Sequence, residues 1–166
     1  MAQAMRWAMS DYLNTGTEEL PVWSQCGTGF NSLNEDYGTQ VDSKIYINSK
    51  SSSKTIKSYE TSFPFDTDMY NDEAAIMAIY NVARNQLTGS DAEMEYIRTD
   101  LLIDETGALL DTSVPARKFT VAVEVSSNEG DGGEALTISG NLNAVGTFTE
   151  GTFDLTTKTF TAKETV

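Results

Sequence analysis

The chain of 166 residues contains no histidine. The side chain that most often moves protons near neutral pH, and most often ligates metals, is therefore missing. There is one cysteine, Cys26. That excludes an internal disulfide and a thiolate metal cluster. With no histidine to activate it, Cys26 reads as a small packed residue rather than a nucleophile. Positive charge is scarce: 11 Lys and Arg stand against 25 Asp and Glu, a formal net charge of −14. The acids are spread along the chain, and such a surface repels nucleic acid and anionic membrane. The longest apolar run, AAIMAIY at 74–80, is far too short to span a bilayer. The opening MAQAMRWAMSDYLN lacks the apolar core of a secretory signal. These absences predict a protein made and first folded in a reducing cytoplasm.

Catalytic motifs are missing too. There is no P-loop, no GxSxG elbow, no HExxH and no CxxC. Asp66-Thr67-Asp68 begins like a calcium loop, but Tyr70 stands where an oxygen ligand is needed. Asn71 replaces the turn glycine and Met77 the closing glutamate. These acids instead precede a helix, whose N-terminus favours negative charge. Glu93 with Glu95, and Asp104 with Glu105, are carboxylate neighbours of the kind an acidic composition produces by chance, and they read as solvated faces. NEGDGG at 128–133 has no following lysine or helix, so it reads as a hairpin loop rather than a phosphate cradle. Tyr59, Phe63 and Phe65 have no basic stripe beside them and read as core, not as a base-stacking platform. The expectation is a protein that is not an enzyme and needs no metal or cofactor.

What is present is pattern. Hydrophobic residues make up 39%, with 7 Tyr, 7 Phe and 2 Trp, enough for one real core. Asn71 or Asp72 caps a predicted helix over about 71–87, with Ile76, Ile79, Tyr80, Ala83 and Leu87 on one face and Thr88-Gly89 ending it. Strands are predicted at 44–48, 55–65, 94–103 and 117–127. Pro64 marks a strand end or edge, and a turn is expected around Gly107 in 104–113. In 117–127, Phe119, Val121, Val123 and Val125 face one way and Thr120, Ala122, Glu124 and Ser126 the other. Segment 133–154 reads as glycine-dotted strand, with Thr137, Ser139 and Asn141 alternating against Leu136, Ile138 and Leu142. A hairpin of 149–154 and 158–163 closes the chain. Residues 22–33 read as irregular and extended. The predicted fold is mainly β with one helix: a β-sandwich or partial barrel with a flanking helix. Residues 1–21 form an expected N-terminal arm, and 22–166 a single domain.

Several blocks together resemble a known family. "YLNTGT" at 12–17, "PVWSQCGTGFNSLN" at 21–34, "KIYINSKSSSKTIKSYETSFPFDTD" at 44–68, "NQLTGSDAEMEYI" at 85–97 and "GEALTISGNLNAVGTFTEGTFDLTTKTFTA" at 133–162 are similar, in this order, to the major tail proteins of long-tailed, non-contractile bacteriophages of Gram-positive hosts. Cys26 departs from the pattern, where a plain apolar residue such as Met is usual. The resemblance implies a β-sandwich tail-tube subunit that forms hexameric rings stacked into a tube. Its partners would be other copies of itself, the tape-measure protein, and tail-tip and tail-terminator proteins. Double-stranded DNA would pass through without specific binding, and no membrane would be involved. The protein would reside in the virion after assembly in the host cytoplasm.

On this reading Glu95, Thr99, Glu124, Thr137, Ser139 and Asn141 are expected to face the lumen. Trp7, Tyr12, Asn34, Glu35, Asp36, Tyr37, Ser51, Ser52 and Ser53 are expected at contacts between subunits or rings, carried by the arm, the polar loop 34–43 and the flexible connection 49–54. The alternatives are a ring subunit of a contractile tail or type VI secretion-like device, an acidic DNA mimic, and a small carbohydrate-binding sandwich.

Overall fold

In the computed structural model, residues 3–100 and 112–164 are described. Ten strands and one α-helix follow in chain order: β1 Asp11–Asn14, β2 Trp23–Gln25, β3 Phe30–Leu33, β4 Thr39–Lys44, β5 Ser53–Tyr59, β6 Ser62–Asp68, α1 Ala74–Arg84, β7 Glu93–Thr99, β8 Ser113–Glu129, β9 Thr137–Asp154 and β10 Thr159–Ala162. The fold is mainly β with a single helix among the described residues, as predicted. The main sheet runs β2-β1-β7-β8-β9-β6-β3, with β10 also on β9, and β4 and β5 form a separate two-stranded sheet.

The two longest strands organise the sheet. β8 and β9 pair antiparallel from Ser113↔Asp154 to Glu129↔Thr137. On its other edge β9 pairs first with β6, over 137–143, and then with β10, over 151–154. The two halves are separated by an irregularity: Lys118 faces Thr149 and Thr120 faces Val145, so Phe119 has three residues, 146–148, opposite it. Gly146 supplies the left-handed backbone this insertion needs, at φ 71°. Gly140 serves differently. A Cβ there would lie 2.0 Å from the Glu124 carbonyl oxygen, so the close β8–β9 approach requires glycine.

The core sits mainly on one face. Phe63, Tyr96 and Phe119 form an aromatic cluster with centroids 4.6–6.2 Å apart. Leu13, Val121, Ile138 and Leu142 surround it, and Ala75, Ile79 and Val82 of α1 belong to the same cluster. A second cluster, with Tyr12, Trp23, Ile97, Ala116 and Phe153, lies on the opposite parity of β1, β7 and β8.

The helix is shorter than expected. Its N-cap is Glu73, not Asn71 or Asp72, and makes no side-chain capping bond. Ile76 and Ile79 are buried, Tyr80 and Ala83 half-buried, and Val82 is a core contact the periodicity left out. Leu87 lies beyond the helix and is 39% exposed. Gln86, at φ 51°, makes the left-handed turn expected of Gly89. The Leu87 N–H donates to the Val82 carbonyl and the Gln86 N–H to that of Ala83, each at 3.1 Å. This is the doubly bonded helix stop that usually recruits glycine.

Other boundaries move as well. Of the expected strand 44–48 only Lys44 is strand, as the last residue of β4; 45–48 belong to the far end of the β4–β5 hairpin, and the expected strand 55–65 is two strands, β5 and β6. The loop expected at 34–43 contains most of β4, and Ser53 begins β5. β7 spans 93–99 and Asp100 is already outside it; the rest of the expected extension, 101–103, and the turn around Gly107 lie outside the described residues. Pro64 stands in β6, between β9 and β3, not at a sheet edge. Its carbonyl accepts from the Asn34 N–H at 3.0 Å, one residue past the end of β3. A strand residue's N and O point to the same side, so the missing N–H falls where the neighbouring strand stops. Pro115 repeats this, accepting at 2.9 Å from Asp100 just beyond β7. Residues 11–14 of the expected arm are a buried strand between β2 and β7. Their burial comes from non-local pairing that a four-residue stretch cannot announce.

Candidate functional site

Strand parity defines a polar sheet face. Residues 93 and 95 of β7, 120, 122 and 124 of β8, 137, 139, 141 and 143 of β9, and 62, 64 and 66 of β6 share one side of the main sheet. The opposite side of the same strands carries Tyr96, Val121, Leu142 and Phe63 in the core. Alternation therefore produces both faces from one set of strands.

This face brings together five of the six expected lumen residues. Glu124 is exposed and accepts from Asn141 Nδ2 at 3.1 Å and Asn143 Nδ2 at 3.5 Å. Ser139 and Ser127 share a hydroxyl contact of 2.8 Å, and the Thr137 hydroxyl donates to the Glu129 carbonyl at 3.4 Å. Glu95 is half-buried; it accepts from Asn14 Nδ2 at 3.4 Å and pairs with Lys118 at 3.3 Å. Thr99 does not join them. It is fully buried, exchanging hydrogen bonds with the Ser10 backbone, because the N-terminal segment lies alongside the end of β7. Asp66 and Glu93 add exposed carboxylates to the face, and Lys118 at its lower end is already paired.

The expected contact residues divide. Trp7 is 63% exposed, Tyr37 is 57% exposed, and Asn34, Asp36, Ser51, Ser52 and Ser53 are exposed. Tyr12 is 4% exposed, with its ring 4.5 Å from that of Phe153, so it belongs to the core rather than to a contact surface. Glu35 is also withdrawn, with 7% of its side chain exposed, because two arginines hold it.

Those arginines belong to a cluster that sequence reasoning missed. Arg98 and Arg117 face each other across β7 and β8. Like charges opposite each other repel, and two carboxylates compensate them. Glu35 takes Arg117 in a two-pronged contact at 2.8 and 2.9 Å and lies 3.8 Å from Arg98. Asp11, 1% exposed, pairs with Arg98 at 3.3 Å and with Arg6, and accepts a hydrogen bond from the Tyr96 hydroxyl. Burial, then the Asp11 charge, pushes the Tyr96 pKa well above its ordinary 10.0. Burial also raises the Cys26 thiol well above its usual range, so it stays protonated. For Arg117 the Glu35 hydrogen bond outweighs burial and holds the proton more tightly still. The available signal was two of the rare bases at strand positions whose parity is otherwise apolar, beside Tyr96 and Phe119.

The cluster anchors a hairpin. Glu35 and Tyr37 lead directly into β4, and a cavity of about 650 Å³ at the hairpin's base is lined by Tyr37, Tyr59, Arg117, Phe119 and Phe148 among others. Among the described residues no group of three or more His, Cys, Asp or Glu side chains is placed to hold a metal ion, and no helix is long and apolar enough to cross a membrane.

Comparison with known proteins places the fold. No family model matches the chain, and no curated protein sequence matches it. Its fold is similar to that of a chain in the cryo-EM structure of the anti-feeding prophage baseplate, a sixfold-symmetrised assembly. The match covers 93% of this chain and 98% of that one, with a TM-score of 0.51 and 7% sequence identity. At that identity the likeness is one of fold.

Proposed function

We propose that this chain is a structural protein of a phage-type tail, and more specifically a tail-tube subunit. Six copies form a ring, and rings stack into a tube that first encloses a tape-measure protein and then conducts double-stranded DNA. The observation that carries this reading is the uncovered polar, acidic face opposite the aromatic core. Around Glu124 and Asp66 this face, set among Ser, Thr and Asn, suits a water-filled bore. Six copies of −14 sum to −84 per ring. A negative wall repels phosphates, so DNA slides rather than sticks. The sixfold assembly holding a similar fold supports the ring, and the ordered blocks resembling major tail proteins support the tube.

The baseplate origin of that similar fold favours one second reading, a single ring near the tail tip rather than a repeating tube. Electron microscopy of concentrated protein, with and without tail tips as seeds, separates the outcomes. Long hollow tubes support the tube subunit. Isolated rings that never stack support the tip ring. Compact monomers under every condition would count against both.

A further inference from the structure

The β4–β5 hairpin joins neither the main sheet nor either core cluster, and every residue of its two strands is exposed. A lone two-stranded ribbon is marginal in water. This one carries Val41, Ile45, Tyr46, Ile47, Ile56 and Tyr59, all between 51% and 109% exposed. It also gathers the scarce charge. Lys44, Lys50, Lys54 and Lys57 stand against Asp42 alone, a net charge of +3, which leaves −17 on the rest of the chain. The ion pairs of the described residues use Arg6, Arg98, Arg117 and Lys118, and none of the hairpin lysines. Val41 and Ile56 are cross-strand partners, and Lys54, two residues before Ile56, shares its face.

One groove on the body complements this surface in both respects. It holds about 770 Å³ where the C-terminal part of α1 meets the start of β7 and the β1–β2 turn. Val82, Leu87 and Met94 give it apolar walls, and Glu18 and Glu93 give it carboxylates with no ion pair among the described residues. Glu95, also there, is taken by Lys118. Three other grooves fit less well. At the hairpin's own base the carboxylate of Glu35 is held by Arg117. The groove beside Trp7 contains Arg6 and no acid. The groove at Asp100 and Glu150 also contains Arg117 and Lys163.

We propose that the lysine-bearing hairpin of one copy docks in the Glu18–Glu93 groove of a second copy of this chain. Opposite charge steers the encounter and fixes the register, while the exposed apolar side chains supply the buried area that holds it. The proposal rests on the self-assembly reading above and adds to it the receiving surface and the chemistry.

The test is a charge swap in the full-length chain, followed by light scattering and microscopy. Variants K54E/K57E and E18K/E93K, with folding checked by circular dichroism, should each raise the concentration needed for assembly by about tenfold or more. The fourfold variant should recover most of that loss. Raising salt from about 0.05 to about 0.5 M should weaken the wild type and, by screening the like-charge repulsion, bring the two single-sided variants closer to it. Folded single-sided variants that assemble at the wild-type concentration would overturn the docking while leaving the tube reading intact. Failure of the fourfold variant to recover would overturn this choice of groove. A wild type that never assembles would remove both readings.

Discussion

Arg117 grips Glu35 through two parallel N–H···O contacts of 2.8 and 2.9 Å, joining the segment that leads into the β4–β5 hairpin to the centre of the main sheet. The pair lies mostly out of water, with 7% of the Glu35 side chain and 21% of that of Arg117 exposed. Arg98 also depends on it: its Nε is buried without a hydrogen-bond partner and has Glu35 as its nearby carboxylate at 3.8 Å.

Removing Glu35 should therefore cost more than a surface pair would. Glu35→Ala takes the paired carboxylate from Arg117 and leaves Arg98 with Asp11 alone, and breaking a buried pair from one side typically costs about 3–5 kcal/mol. Partial exposure of Arg117 places the expectation near the lower end, about 3 kcal/mol. Urea unfolding measures it. Hydrogen exchange should show residues 36–60 losing protection before the main sheet does; uniform loss across the chain would contradict the anchoring role.

The Tyr96–Asp11 contact predicts alkaline sensitivity. Burial raises the folded-state pKa of Tyr96, so the folded protein keeps a proton that the unfolded chain releases near 10.0. Stability from this group is fully present below that pH and declines as pH rises beyond it. Phenolate absorbance at 295 nm should include a step that coincides with unfolding. In Tyr96→Phe that step should shrink to the part contributed by Tyr12, whose pKa burial also raises, at the cost of the lost hydrogen bond, about 1 kcal/mol or more.

Gly140 and Gly132 provide an internal contrast. A Cβ at 140 would meet backbone at 2.0 Å, whereas one at 132 would meet nothing within 4 Å. Gly140→Ala should force β8 and β9 apart and destabilise by roughly 2–4 kcal/mol, as overpacking against backbone does. Gly132→Ala should stay within about 0.5 kcal/mol of wild type. Equal effects in thermal unfolding would show that the close approach at 140 is relieved cheaply.

Glu124 tests the bore. It is exposed, makes no ion pair among the described residues, and touches two asparagines that can turn away. Glu124→Lys should change stability by about 0.5 kcal/mol or less. In an assembled tail it should slow DNA ejection by placing a phosphate-binding charge on the wall. Normal tubes with normal ejection kinetics would move this face away from the DNA.

Much of the architecture follows from local alternation. The apolar parity of Phe119, Val121 and Val123 and the polar parity of Ser139 and Asn141 are properties of the chain itself, since a strand turns successive side chains to opposite sides. The absence of histidine, and with it of imidazole acid–base and metal-ligand chemistry, is likewise a property of the sequence alone. Tertiary structure decided what alternation could not. β1 is buried because β2 and β7 flank it, and its four residues carry no such message alone. Thr99 leaves the polar face because the N-terminal segment covers it. Gln86 ends the helix because the bonds of Leu87 and Gln86 back to Val82 and Ala83 hold its left-handed backbone. The charges of Arg98, Arg117, Glu35 and Asp11 come from four separate strands and connections, and only folding brings them within reach of one another. Side-chain period is local and survives in the sequence; burial and ion pairing depend on which distant segments meet.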